Sequence, residues 1–254
     1  MPRLKYAARS DVGMIRSGNE DSYDAEVNRY RGIFVVADGM GGHAAGEVAS
    51  LMAVQTAMRE LADLQEIDDT GNAANRLAEA LRTANRNIHE RMLAESDKQG
   101  MGTTASVLVL DEKRYLIGQV GDSRVYLLRD GALQQVTKDH SYVQEQVDAG
   151  FLTPEQAKYH PYSNVITRCV GASENVEPDI YRGDIRIGDV FLVASDGLTG
   201  MVDDRRIHAL LMSRAEPDRK VHSLISEANG RGGLDNITAI VVHVLGPEEP
   251  IPQS

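Results

Sequence analysis

Hydrophobic positions change their spacing several times along this chain, and each change predicts an element. Residues 33–37 (IFVVA), 190–194 (VFLVA) and 237–244 (ITAIVVHV) are short apolar runs of strand length. In residues 47–64 apolar side chains recur at Leu51, Val54, Met58 and Leu61, and in residues 73–93 at Leu77, Leu81, Ala84, Ile88 and Met92. Spacings of three and four with polar opposite faces predict two helices that each bury one side. The middle of the chain reads as strands. Residues 103–110 and 115–120 flank Asp111-Glu112-Lys113-Arg114, and residues 125–128 and 133–136 flank Arg129-Asp130-Gly131-Ala132. Both pairs read as hairpins, the second with an Asp-Gly turn. A last helix is expected around residues 220–228.

Successive hairpins require antiparallel pairing, because parallel neighbours need a crossover each time. The helices need a sheet face to cover. The pattern therefore predicts an α+β fold, with antiparallel sheet and helices packed outside. No repeat or low-complexity linker interrupts it, so residues 1–245 read as one domain followed by a short flexible tail, 246–254. Residues 139–175 are less regular and read as a mobile insertion beside a site.

Composition narrows the chemistry. The 254 residues are 42% hydrophobic, enough for a packed core. Lys and Arg number 27 against 38 Asp and Glu, a net charge of −11. Such a chain gains little from counterion release on nucleic acid and is repelled by an anionic membrane. Cys169 is the one cysteine, which excludes an internal disulfide and a thiolate zinc site. The N-terminal residues lack the apolar segment of a secretory signal, and no run approaches the ~18 residues of a spanning helix. A cytoplasmic location is expected.

The acidic residues are not scattered evenly. One apolar strand runs into Asp38-Gly39 and another into Ser195-Asp196-Gly197; Asp235-Asn236 precedes the last strand. Asn19-Glu20-Asp21 and Gly121-Asp122-Ser123 add two more positions. An Asp before a Gly is commonly just a turn residue. Several carboxylates delivered to strand ends, however, would repel one another unless a divalent cation held them together. Oxygen-only ligation selects Mg²⁺, Mn²⁺ or Ca²⁺ over Zn²⁺, and no EF-hand loop or P-loop is present. Mg²⁺ or Mn²⁺ on carboxylates suits phosphoryl chemistry. Gly39-Met40-Gly41-Gly42-His43-Ala44 matches a relaxed dinucleotide fingerprint, but Glu60 and Asp63, where an acidic strand end is needed, fall inside a predicted helix.

Eight motifs, in order, resemble the metal-dependent protein phosphatases, the type 2C serine/threonine phosphatases, and their bacterial branch in particular. They are Ser10-Asp11-Val12-Gly13, Arg16-Ser17-Gly18-Asn19-Glu20-Asp21, Val35 through His43, Gly102-Thr103-Thr104, Gly121-Asp122-Ser123-Arg124, Val136 through His140, Ala194 through Leu198, and Gly233 through Thr238. The resemblance implies a sandwich of two antiparallel sheets with helices on both outer faces, and a flap at about residues 141–173. It implies that Asp38 bridges two cations, that the Gly39 carbonyl joins one, and that Asp196 and Asp235 complete the other's shell. Glu20 and Asp21 would hold metal-bound waters, and Asp122 with Asp196 a third, weaker ion. Arg16 would clamp the substrate phosphate.

The implied reaction is hydrolysis of phosphoserine and phosphothreonine in proteins by a water activated between two Mn²⁺ or Mg²⁺ ions. The implied partners are phosphoproteins made by a bacterial serine/threonine kinase, with the enzyme as a monomer. Many eukaryotic members carry Asp-Gly-His where this chain has Asp38-Gly39-Met40. The proton donor to the leaving alkoxide is therefore open between His43 and a metal-bound water. Two rivals remain beside the phosphatase reading: a non-catalytic binding protein of the same fold, and a small-molecule phosphohydrolase. Asp139 is expected to cap the helix starting near Ser141, His140, Ser123 and Arg124 to be structural, and Thr103 and Thr104 to be plain strand residues.

Overall fold

The structure, a computed structural model, describes residues 2–29 and 31–246, with the side chains of residues 43 and 44 outside the description. From residue 247 the expected tail also lies outside it. Eleven strands are assigned among the described residues: β1 (Arg3–Asp11), β2 (Asp21–Val27), β3 (Gly32–Met40), β4 (Gly102–Thr103), β5 (Ala105–Leu110), β6 (Arg114–Val120), β7 (Arg124–Arg129), β8 (Ala132–Gln135), β9 (Asp179–Asp184), β10 (Val190–Ala194) and β11 (Ile237–Leu245). The helices are α1 (His43–Leu61), α2 (Asn72–Ala94), α3 (Tyr142–Asp148), α4 (Pro154–Lys158), α5 (Asp196–Thr199), α6 (Asp204–Met212) and α7 (Pro217–Gly230).

The strands form two antiparallel sheets, ordered β1-β11-β10-β7-β8 and β2-β3-β5-β6-β9, with β4 paired to β3. Strand alternation explains how they stack. Phe34, Val36, Leu108, Ile117, Phe191, Val193, Ile240 and Val242 share one apolar layer between the sheets. Their neighbours Ile33, Val35, Ala37, Val107 and Val109 face α1 and α2 instead. Leu192, Ala194, Ala239 and Val241 face α5, α6 and α7. Helix, sheet, sheet and helix thus form four layers, and the central strands are mostly apolar because both of their faces are buried.

Several expectations need correction. The first helix begins at His43, four residues before the expected start at residue 47, and Leu51 is exposed. Its buried face is built from Ala45, Ala49, Ala53, Val54, Ala57 and Leu61. Small side chains let this helix lie close to β3, so alanines mark the buried stripe and one leucine points outward. Strand β3 does not end before Asp38 but continues through it to Met40, held by β2 on one side and β4 on the other. Residues 103–110 split into β4 and β5 at Thr104. Asp139 caps nothing: Ser141 is the N-cap of α3, accepting from the Gln144 amide, and Asp139 takes a forked pair from Arg124. The Asp130-Gly131 turn forms as expected, with both residues at positive φ.

Register decides where the chemistry sits. Asp21 pairs with Asp38, Ala105 with Val120, Ala194 with both Arg124 and Ala239, and Asp11 with Ile237. Strand ends from both sheets therefore meet at one end of the sandwich.

Candidate active site

Asp38 is delivered by the last turn of β3, and its backbone is fixed on both sides. Its N–H donates to Thr104 Oγ1 at 2.9 Å, while its carbonyl accepts from Thr103 Oγ1 and the Thr104 amide, both at 2.8 Å. Thr104 Oγ1 in turn meets Ser123 Oγ at 2.7 Å, which ties the Asp122 loop to the same spot. Thr103 and Thr104, read as plain strand residues, are the side chains that hold Asp38 in place. Their hydroxyls are completely buried, which sequence spacing does not reveal.

Gly39 is required by a close approach of neighbouring backbone. A Cβ there would lie 2.1 Å from the Gly46 carbonyl and 2.6 Å from that of Glu20. Gly46 likewise admits the Glu20 carboxylate, whose Oε2 would be 1.9 Å from a Cβ. The two glycines let β3, the start of α1 and residue 20 converge, and no larger side chain fits at either position.

Asp21 opens β2 almost buried. Its Oδ2 accepts from Ser195 Oγ at 2.8 Å and Thr238 Oγ1 at 2.6 Å. Asn236 stitches the segment before it: its Oδ1 accepts the Glu20 amide at 2.8 Å and its Nδ2 donates to the carbonyls of Val12 and Gly18, each at 2.9 Å. Asp196 begins the short α5 directly after β10, with Ser195 at the N-cap. Asp122 sits in the turn between β6 and β7, whose Gly121 is bracketed by His140: the Gly121 amide donates to His140 Nδ1 at 3.0 Å and the His140 amide to the Gly121 carbonyl at 2.9 Å. His140 is structural here, as expected.

These carboxylates sense one another. Burial first, and then the charges of Asp21, Asp196 and Asp122, push Asp38 well above the usual carboxylate range. Burial also raises Asp196, with the charge of Asp235 adding to the shift and a hydrogen bond with Asp38 opposing it. Burial lifts Asp21 to about 7, with Asp196 and Asp235 adding to the shift, and Asp122 to about 8, with Asp196 and Asp139 adding. One oxygen on each of Asp21, Asp122 and Asp196 is buried without a hydrogen-bond partner.

Orphaned, mutually repelling carboxylate oxygens are what a hard cation satisfies, and no Cys or His is among them. Among the described residues no three acidic or imidazole side chains stand as a ready-made cage for one ion. Oxygen donors alone are the set that Mg²⁺ and Mn²⁺ take. The donor set fits the expected metals.

Arg16 and Asp235 complete the cleft. Arg16, 51% exposed, donates to Asp235 Oδ2 at 2.7 Å, and Asp235, Glu20 and Asp38 all act on its charge. Asp235 Oδ1 accepts the Asn236 amide at 2.8 Å. A pair this exposed is worth under ~1 kcal/mol, so either partner exchanges easily for a phosphate oxygen or a cation. Eight of the nine residues singled out from the sequence are thus in one neighbourhood. The ninth, His43, opens α1, but its side chain lies outside the described residues.

The sequence model for protein phosphatase 2C matches residues 15–227. The chain belongs to the protein phosphatase 2C family. Within that family it is 42% identical over 252 residues to the serine/threonine protein phosphatase PstP of Mycobacterium tuberculosis, covering 98% of this chain. It spans about half of that relative, 47% of its length. Among solved members, the Streptococcus agalactiae serine/threonine phosphatase superposes with a TM-score of 0.89 at 37% identity, over 95% of this chain and all of the other. The catalytic domain of PstP in complex with two manganese ions superposes with a TM-score of 0.82 at 40% identity, over 97% of this chain and all of that domain. The shared fold is the four-layer sandwich described above.

Proposed function

We propose that this chain is a metal-dependent serine/threonine protein phosphatase. The observation that carries the reading is the set of buried carboxylates at one end of the sandwich, with orphaned oxygens beside the half-exposed Arg16. Phosphate monoesters hydrolyse extremely slowly unaided, so positioning and charge neutralisation must supply most of the acceleration. Two Mn²⁺ or Mg²⁺ ions, the number carried by the PstP structure, supply charge neutralisation and lower the pKa of water when bound. Asp38, the Gly39 carbonyl, Asp196 and Asp235 are the groups proposed to hold them, with Glu20 and Asp21 behind. Asp122 with Asp196 is proposed for a third, weaker ion.

The protein's own residues do the rest. Arg16 stays charged and presents a planar fork to two phosphate oxygens. Ser195 and Thr238 fix Asp21 by donating to Oδ2, leaving Oδ1 buried without a hydrogen-bond partner. His43 is the proposed protein donor of a proton to the departing serine or threonine oxygen. Residues 1–245 are proposed to act as one domain, with 141–173, which carries α3 and α4, as a flap beside the cleft. The substrates are proposed to be proteins phosphorylated by a bacterial serine/threonine kinase, and the enzyme a cytoplasmic monomer. No helix among the described residues is long and apolar enough to cross a membrane.

Turnover of phosphoserine and phosphothreonine peptides with Mn²⁺, with EDTA, and in the Asp38→Ala variant tests the reading. Metal-dependent hydrolysis lost in the variant supports it. Hydrolysis of free nucleotides in preference to phosphopeptides, or no turnover of any phosphomonoester with saturating Mn²⁺, overturns it.

A further inference from the structure

Beside Arg16 the surface changes character. Met14 is 66% exposed, Ile15 67% and Leu234 57%, and all three lie within two residues of Arg16 or Asp235. They stand on backbone that is firmly held. The Met14 amide donates to the Gly233 carbonyl at 2.8 Å, and the Gly13 amide to Asp11 Oδ1 at 2.9 Å. A Cβ on Gly13, at φ +80°, would lie 2.2 Å from the Asp235 carbonyl, and one on Gly233, at φ +50°, 2.8 Å from Met14 Cγ. Two glycines thus lock the Gly13–Arg16 turn against the Gly233–Asp235 turn. The apolar side chains are displayed by a rigid seam.

Large apolar side chains that a folded backbone holds outward, grouped and next to a reactive cleft, mark a recognition surface. Its occupant follows from continuity with the cleft. A phosphoresidue whose phosphate meets Arg16 runs its flanking chain over the adjoining surface at about 3.3–3.6 Å per residue. Only the first one or two flanking residues reach side chains that neighbour Arg16 and Asp235. We infer that Met14, Ile15 and Leu234 form an apolar shelf that selects phosphoproteins carrying an aliphatic or aromatic residue within two positions of the phosphoserine or phosphothreonine. This rests on the phosphatase reading and names the substrate class within it.

The test uses the Mn²⁺-loaded protein, a phosphopeptide panel with Leu, Phe, Ser, Asp or Lys at the two positions on each side, and p-nitrophenyl phosphate, which has no flanking residue. Wild type is expected to favour the Leu and Phe peptides by about tenfold in kcat/KM, the scale of one well-buried aliphatic side chain. The Met14→Ser/Ile15→Ser/Leu234→Ser variant loses that preference, while its p-nitrophenyl phosphate turnover stays within about twofold and its melting temperature does not fall. Equal turnover of all peptides by wild type, or a preference that survives in the variant, overturns the inference. Binding of the same peptides, read by fluorescence anisotropy, separates the two readings. Apolar discrimination in binding without turnover removes the phosphatase reading and keeps the shelf; turnover without discrimination does the reverse.

Discussion

Raising the pH of the metal-free protein from 6.5 to 8.5 is a direct perturbation of the carboxylate cluster. A carboxyl whose folded value lies above its ordinary 3.8 keeps its proton in the folded state after the unfolded chain has lost it. Its contribution to stability is full at low pH and disappears as pH rises through the folded value. Asp21 at about 7 and Asp122 at about 8 both titrate inside this window. With 1.36 kcal/mol per pH unit for each group, their combined loss is roughly 2–3 kcal/mol. Asp196 acts on both, so the lower end of that range is the safer figure. For a domain of this size the melting temperature should drop by about 4–12 °C. Below pH 6.5 the comparison is confounded, because burial lowers His243 to about 4 and that group gains stability as pH rises toward its ordinary 6.5. The assay is thermal unfolding in EDTA and in saturating Mn²⁺ across the window. Mn²⁺ should remove most of the pH dependence, add about 2.7 kcal/mol at a hundredfold excess over Kd, and expel at least one proton at pH 7. Calorimetry in buffers of different ionisation enthalpy counts the protons released. A flat or rising melting temperature in EDTA, or Mn²⁺ binding without proton release, would show that these carboxylates do not face one another as described.

Asp38→Ala and Asp196→Ala should each lower kcat by at least about a thousandfold with excess Mn²⁺ while circular dichroism stays native, because each removes a proposed cation ligand and not a packing group. Retained turnover in either variant refutes the metal assignment. Arg16→Ala should mainly raise KM, with Arg16→Lys intermediate because lysine lacks the fork; initial rates over a range of phosphopeptide concentrations separate the two constants. Thr104→Val should destabilise by about 1–3 kcal/mol in urea unfolding, since it leaves the buried Asp38 amide without its acceptor, and should also weaken Mn²⁺ binding.

How much of the fold the sequence revealed depended on where each strand lies. Strands β3, β5, β10 and β11 sit inside their sheets with both faces covered, so their runs are mostly apolar and easily recognised. Strands β1, β2 and β9 went unrecognised, and each is the edge of a sheet. Their sequences, RLKYAARSD, DSYDAEV and DIYRGD, carry the charges that keep an edge from pairing with another chain, and those charges erase the apolar signal. Helix α1 misled in a similar way, because its close approach to β3 required alanines and pushed Leu51 outward.

The site divides along the same physical line. Its carboxylates were legible because an Asp at the end of an apolar run is conspicuous, and the motif order then assigned them roles. The groups that hold those carboxylates were not legible. Thr104 and Ser123, Ser195 and Thr238, and Asn236 are small polar residues at or beside strand ends distant in sequence, and each makes its key hydrogen bond to a residue at least 19 positions away. Nothing local distinguishes a strand threonine that props up an aspartate from one that merely fits the pleat. Only register, which sets Asp21 opposite Asp38 and Ala194 opposite Ala239, brings such residues within reach of the acids. In this fold the residues suited to cation chemistry announce themselves in the sequence, while the rigidity that makes them usable is a property of how two sheets meet. Substitutions at Thr104, Ser195 and Asn236 should therefore damage activity almost as visibly as those at the acids, although none of the three is placed on the substrate or on a cation.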